Sequence, residues 1–179
     1  MTCGEEDRQI SAVDTPIGSI KIETTSCELV RLIFTAQDQN LSVKFPGVVQ
    51  GYSFSQIVVS RLDCSSVFMN TVIEQLQQYF IQPSFKFSIP ILLQGTPFQL
   101  KVWELLKSIP VGTVLTYGEI AKKLQTSPRA VGNACRANPV PIVIPCHRVI
   151  NKKGYGGFCG QTSGEMFAVK QWLLQHEGK

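Results

Sequence analysis

Two short stretches near the start of the chain alternate apolar and polar residues. Residues 18–25 (GSIKIETT) and 27–34 (CELVRLIF) show alternation and β-branched residues, and the single residue between them predicts a hairpin. Residues 65–81 (SSVFMNTVIEQLQQYFI) change period. There Val72, Leu76 and Phe80 fall on one helical stripe, with Val67 and Phe68 near its start. Residues 35–60 show no period and read as loop or irregular strand. Residues 82–97 (QPSFKFSIPILLQGTP), broken by Pro and Gly, read as the link to a second domain.

Beyond that link the pattern is helical. Thr96 and Pro97 form an N-cap and a first-turn proline, and Phe98, Val102, Leu105, Leu106 and Ile109 then share one face. Thr116-x-x-Glu119 opens a second helix as a capping box, with Ile120 and Leu124 inward. After the turn QTS, Ser127 and Pro128 start a third, PRAVGNACRA. Helix, tight turn, helix predicts a helix-turn-helix. The expected fold class is α+β. An N-terminal domain, 1–92, holds a small antiparallel sheet with a helix; a C-terminal domain, 93–179, is mostly helical with an active-site loop.

Composition adds a soluble globular character, with 44% apolar and 17% charged residues, and no apolar run long enough to span a bilayer. The acidic start MTCGEED is unlike a secretory signal, so a cytoplasmic or nuclear location is expected. Charge changes the picture more. Residues 1–92 hold six Lys/Arg against nine Asp/Glu, whereas 93–179 hold eleven against four. A net of +7 on the second half points to a polyanion, with a merely solvated basic surface as the alternative.

The third helix is unusual for a reader of DNA. On a helical wheel Val131 and Cys135 face inward, while Arg129 and Arg136 share a basic face with Gly132. Ala130, Ala134 and Ala137, flanked by Asn133, make a face almost without side chains. Major-groove readout needs long polar side chains. A bare face suits the minor groove, with Arg129 best placed to enter a duplex, or else it packs on the protein's own core.

Six cysteines, at 3, 27, 64, 135, 146 and 159, form no C-x-x-C pair and are expected as reduced thiols, mostly small buried hydrophobes. Cys146 differs, because IPCHRVI (144–150) sets thiol, imidazole and guanidinium side by side in an apolar, strand-like run. In extended backbone His147 points away from Cys146, so the two communicate only through a water or after a kink at Pro145. A thiol is activated when a cation or base lowers its pKa.

The run RAVGNACRANPVPIVIPCHRVI (129–150) closely resembles the signature of the O6-alkylguanine-DNA alkyltransferases, which reverse DNA damage directly. The likeness extends through FQLKVWELLKSIPVGTVLTYGEIA (98–121) and AVKQWLLQHEG (168–178), and more loosely through TPIGSIKI and EQLQQYF in the first half. It implies an RNase H-like N-terminal domain and a helix-turn-helix in the minor groove of a double-stranded DNA containing O6-alkylguanine. It further implies a monomeric protein that transfers one alkyl group irreversibly to itself, without a cofactor. By position, Cys146 resembles the acceptor, His147 the histidine polarising it through water, Glu177 the acid orienting that histidine, and Asn138 the link from recognition helix to active site. Tyr117 matches the donor to guanine N3, while Phe158, Cys159 and Val149 match the substrate pocket. Arg129 matches the residue filling the gap left by a flipped nucleotide, beside Ala130, Asn133, Ala134 and Arg136 on the DNA face. Phe158 stands where a tyrosine often sits and Cys159 where a serine often offers its backbone N–H. Thr162-x-x-Glu165 reads as a cap for the last helix, and Arg148 as an anchor to carbonyls or a carboxylate. Some members hold zinc through N-terminal cysteines and histidines; residues 1–92 contain no histidine, so no metal is expected. A non-catalytic binder of alkylated DNA and a cysteine hydrolase are the alternatives. Relatives that only bind lack the cysteine, and a hydrolase would turn over.

Overall fold

A computed structural model describes residues 8–35, 59–60 and 67–179, which divide into two compact units, Met1–Leu92 and Leu93–Lys179. The first unit is built on an antiparallel sheet of β1 (Gln9–Thr15), β2 (Gly18–Thr24), β3 (Leu29–Thr35) and β4 (Val59–Ser60), in the order β3-β2-β1-β4. Alternation sets the faces: Val13, Ile20 and Ile22 are buried while their neighbours are not. A two-residue turn returns β1 to β2 at Thr15 and Gly18, and Gly18 has φ 104°, a conformation open to glycine.

Helix α1 (Val67–Ile81) packs against β1 through Met69, Val72, Ile73, Leu76 and Phe80. Val67 does not join the stripe; it is 84% exposed at the helix start. The stretch after α1 is not a free link, because Leu29 N–H donates to Pro90 O and Leu92 N–H to Leu29 O. Cys27 is disulfide-bonded, which corrects the expectation of six reduced thiols. Sequence spacing does not show what a fold brings beside the β2–β3 turn. Cys3, Cys64 and most of the aperiodic 35–60 stretch lie outside the described residues.

The second unit begins with α2 (Pro97–Lys107). Thr96 caps it in a full capping box, accepting from Gln99 N–H while the Gln99 side chain accepts from Thr96 N–H. Thr116 and Glu119 do the same for α3 (Tyr117–Lys123), and Ser127 caps α4 (Pro128–Arg136). Helix α4 packs on both α2 and α3. Trp103, which the apolar count along α2 passed over, is buried between them. Its Nε1–H donates to Ala134 O at 2.9 Å, a carbonyl near the C-terminus of α4, where the helical ladder runs out.

A long connection follows α4, then β6 (Val149–Ile150) and α5 (Glu165–His176). Strand β5 (Leu115–Thr116) pairs in parallel with β6, Leu115 opposite Val149 and Thr116 opposite Ile150. Because β5 runs straight into α3, this pairing holds Tyr117 beside the chain that leaves Cys146. Helix α5 is preceded by Gly164 at φ 78° with no side-chain cap, so Thr162 does not cap it as expected.

Replacing Trp103 by Phe would keep most of the apolar volume and leave the Ala134 carbonyl unpaired. Urea unfolding should show a loss of about 1–3 kcal/mol; no loss would mean the indole bond carries no weight.

Candidate active site

Of residues 144–150, only Val149–Ile150 form a strand. Pro145 takes φ −81° and ψ 65°, Cys146 N–H donates to Ile144 O at 2.8 Å, and the chain turns sharply into one turn of 3-10 helix, Cys146–Arg148. Proline locks φ and removes an N–H, which is why an apolar run ends in a turn here. Three residues per turn spread Cys146, His147 and Arg148 around the axis, so each meets a different surrounding.

His147 and Arg148 converge on one carboxylate. His147 Nε2 lies 2.9 Å from Glu177 Oε1, Arg148 Nη2 donates to the same oxygen at 2.8 Å, and Arg148 Nε donates to Oε2 at 2.9 Å. Arg148 Nη1 also donates to Ile109 O, so it anchors to both a carbonyl and a carboxylate. Burial pushes the Glu177 carboxyl up, but the bonds from His147 and Arg148 outweigh it and hold the pKa at about 2. Burial lowers the pKa of His147, with Glu177 opposing. A neutral imidazole facing an ionised carboxylate carries its proton on Nε2, an assignment from the network. Nδ1, buried and without a protein partner, is then an acceptor.

Cys146 is 5% exposed. Asn138 Nδ2 donates to its Sγ at 3.2 Å and to Ile144 O at 2.8 Å, while Asn138 Oδ1 accepts from Val140 N–H at 3.1 Å. Asn138 follows α4 by two residues, so it ties that helix to the thiol. Burial raises the thiol pKa, and the Asn138 bond and Lys170 charge oppose only in part.

A cavity of about 370 Å³ opens over Sγ. Of the expected residues, Tyr117, Phe158, Cys159, Arg129 and Arg136 line it with Cys146. Tyr117 O–H donates to Gly157 O at 3.3 Å; burial raises its pKa, with charge on Cys135 or Cys146 adding to that, so it stays a donor. Cys159 is exposed at the tip of a two-residue turn closed by Phe158 and Gln161, at φ 46°. His147, Glu177 and Asn138 stand behind the thiol and do not line the cavity. Val149 does not line it either, a correction: it is fully buried in β6 and presents only its carbonyl, to Lys170. On α4, Arg129, Asn133 and Arg136 are exposed and Ala130 is half-buried. Ala134 is a second correction, since at 2% exposure it packs on the core and cannot offer its methyl group outward.

Sequence reasoning missed several residues. Cys135, Gly132, Asn151 and the loop residues Gly160, Gln161 and Thr162 also line the cavity. Gly160 lies against Arg136, where a Cβ would come 2.9 Å from Nε. Lys170 is fully buried, and its place on the apolar stripe of α5 with Val169, Leu173 and Leu174 was the available signal. Among the described residues no group of three or more His, Cys, Asp or Glu could hold a metal ion.

The chain is similar to known proteins. Residues 97–179 match the family model described as 6-O-methylguanine DNA methyltransferase, DNA binding domain. A methylated-DNA–protein-cysteine methyltransferase from Archaeoglobus fulgidus is 44% identical over 107 residues, covering 58% of this chain and 71% of that protein. One from Thermococcus barophilus is 52% identical over 84 residues, covering 46% and 45%. The crystal structure of the Mycobacterium tuberculosis O6-methylguanine methyltransferase superposes with TM-score 0.70 at 30% identity, covering 95% of this chain and 92% of that one. The chain belongs to the methylated-DNA–protein-cysteine methyltransferase family.

Glu177→Ala should strand the Arg148 charge in the interior and lower unfolding stability by about 3–5 kcal/mol in urea titration. The pH dependence has a defined sign. The Glu177 contribution is present above its unfolded value of 4.5 and is lost as pH falls toward about 2. His147, with its pKa depressed, takes a proton more readily when unfolded, so stability falls once pH drops below 6.5. Melting curves from pH 8 to pH 3 should descend in those two windows, and the lower one should vanish in Glu177→Ala.

Proposed function

We propose that this chain repairs alkylated duplex DNA by moving an alkyl group from O6 of guanine onto Cys146, once per molecule. The observation that carries this is a thiol at the base of a cavity, bonded to Asn138 and backed by the His147–Glu177 pair, with the tyrosine donor on the facing wall. The same arrangement is what the names of the family members call for. A solved relative, the Mycobacterium tuberculosis protein in complex with DNA, has TM-score 0.66 at 28% identity.

In this reading the target carbon lies inside a base stack, so the nucleotide is rotated out at a cost of a few kcal/mol. Helix α4 enters the minor groove through its exposed face at Ala130 and Asn133, and Arg129 fills the gap. Lysines and arginines of the second half hold phosphates without reading sequence. Sulfur then attacks the alkyl carbon; the S–C bond forms as the C–O6 bond breaks, and its electron pair moves onto the guanine. The Cys146 proton passes through a water to His147 Nδ1, with the Glu177 carboxylate stabilising the imidazolium. Tyr117 donates its proton's hydrogen bond to the departing base, so negative charge does not build up there. The product is a thioether. Unlike a thioester it offers no carbonyl to water, which sets the hydrolase reading aside in favour of a protein consumed by its reaction. It acts as a monomer on double-stranded DNA containing O6-alkylguanine, in the cytoplasm or nucleus, without metal or cofactor. Among the described residues no helix is long and apolar enough to cross a membrane.

With excess labelled O6-methylguanine duplex, transfer should stop at one methyl group per protein, located on Cys146 by peptide mapping. Cys146→Ala should abolish transfer and keep DNA affinity within about twofold, since a thiol adds little interface. A continuing steady rate, or full activity in the mutant, sinks the acceptor reading.

Arg129→Ala should slow repair of duplex roughly tenfold or more, on the scale of a misplaced substrate, and spare transfer from free O6-benzylguanine. Equal losses on both substrates would remove Arg129 from the flipping step.

A further inference from the structure

Asn151 leaves β6 at the first place of a tight turn whose tip is Lys152 and Lys153. Its backbone closes that turn: the N–H donates to Gly154 O at 2.9 Å, and the carbonyl accepts from Gly154 N–H at 3.4 Å. An asparagine in this position ordinarily bonds its side chain to the N–H two residues on. Here, among the described residues, the Asn151 amide has no hydrogen-bond partner; it is exposed and lines the cavity instead. Gly156 fixes what lies beside it. A Cβ at Gly156 would meet Tyr117 Cε2 at 3.0 Å and Asn151 Cγ at 3.3 Å, and the φ of 72° also favours glycine. The asparagine amide and the tyrosine ring therefore converge on one point of the cavity wall.

The side chains of this cavity are rich in donors and poor in acceptors. Arg129 and Arg136 only donate, and thiols are weak partners of either kind. Besides Tyr117, the lining side chains that carry an oxygen are Asn151, Gln161 and Thr162. Gln161 Oε1 turns toward Gly164, 3.8 Å from the place of its Cβ, and Thr162 lays its methyl carbon 3.5 Å from that of Gly157. Asn151 Oδ1 is thus the side-chain acceptor that stands beside Tyr117. A flipped O6-alkylguanine makes a matching demand. On its ring the acceptor N3 adjoins the carbon that bears the 2-amino group, a donor that loses its water when the base enters the cavity. A tyrosine hydroxyl on N3 brings that amino group to the same stretch of wall.

We propose that Asn151 is a substrate-contacting residue that sets base specificity, its amide oxygen accepting from the 2-amino group of the flipped base while Tyr117 donates to N3. This rests on the reading of the cavity as the site for O6-alkylguanine. In that reading α4 does not read sequence, so the damaged base has to be recognised inside the cavity. A purine without the amino group leaves Oδ1 facing the base with no donor, and it is disfavoured for that reason.

The test is single-turnover transfer from two matched duplexes, one carrying O6-methylguanine and the other O6-methylhypoxanthine, which lacks only the 2-amino group. The wild type should prefer the first roughly tenfold, as for one bond to a group otherwise left unpaired. In Asn151→Ala, transfer from O6-methylguanine should slow by that factor, transfer from O6-methylhypoxanthine should hold, and the preference should disappear. Asn151→Asp, which keeps an acceptor oxygen, should retain the preference. If the melting curve shows that Asn151→Ala does not fold, Asn151→Leu removes the polar atoms at nearly the same shape, with the same result expected. A preference that survives in Asn151→Ala or Asn151→Leu overturns the proposal, and the amino group then belongs to a backbone carbonyl. Equal slowing on both duplexes overturns it as well, because a merely structural asparagine does not distinguish them. Affinity for the two duplexes, measured in a Cys146→Ala background, separates this contact from the reading beneath it. If the wild type transfers no methyl group while Asn151→Ala abolishes the affinity difference, the acceptor reading of Cys146 fails and the Asn151 contact stands.

Discussion

A carboxylate shut off from water organises the second unit. Glu177 lies one residue beyond α5, yet its two oxygens receive His147 and both edges of Arg148, residues thirty positions earlier. The chain accepts the desolvation of three polar groups at one point, a cost that is recovered only if every partner is in place. Their mutual bonds fix the 3-10 turn against α5, and that turn fixes Cys146. The tautomer of His147 follows from the same oxygen, because an ionised acceptor at Nε2 forces the free lone pair onto Nδ1.

Around that anchor two pairings decide where the thiol looks. Asn138 links the end of α4 to Sγ, so a displacement of the exposed helix is felt at the nucleophile through a single side chain. The β5–β6 pairing brings Tyr117 to the cavity wall. Loop residues close the remaining side, and Gly160 meets Arg136 at a distance that leaves no room for a Cβ. Here the reason for glycine is contact as well as its φ of 84°. The cavity mouth and the exposed face of α4 are thus parts of one surface.

What sequence could reveal divides by range. The N-caps Thr96, Thr116 and Ser127 were legible because a cap is settled within four residues. The pairing of β2 with β3, and Val102 and Leu106 of α2 and Val131 and Cys135 of α4 as inward residues, were legible from period alone. Cys146, His147, Asn138 and Tyr117 came from a distinctive motif, and the structure brings them together. Errors arose where a neighbour distant in sequence decides. Ala134 belongs to a bare face on the wheel, but Trp103 of α2 covers it. Val149 adjoins the motif, yet its side chain is fully buried and its carbonyl accepts from Lys170. The strand-like look of 144–150 concealed a turn because Ile and Val suggested extension while Pro145 ruled it out. Cys27 shows the same limit, since a disulfide partner is a fact of the fold.

The raised pKa of Cys146 fits a protein that reacts once. A thiolate present at all times would meet any soft electrophile that diffused into the cavity, and each such encounter would waste the molecule. Burial favours the protonated sulfur, and the bond from Asn138 opposes it. The compensation has to be available only when a substrate fills the cavity and excludes water, so that nearby charges and dipoles act through a lower dielectric. Asn138, the His147–Glu177 pair and the buried Lys170 are all in position before that moment. None needs to reorganise in order to act. Selectivity then comes from the environment that the bound base completes, and the intrinsic reactivity of the thiol can stay low.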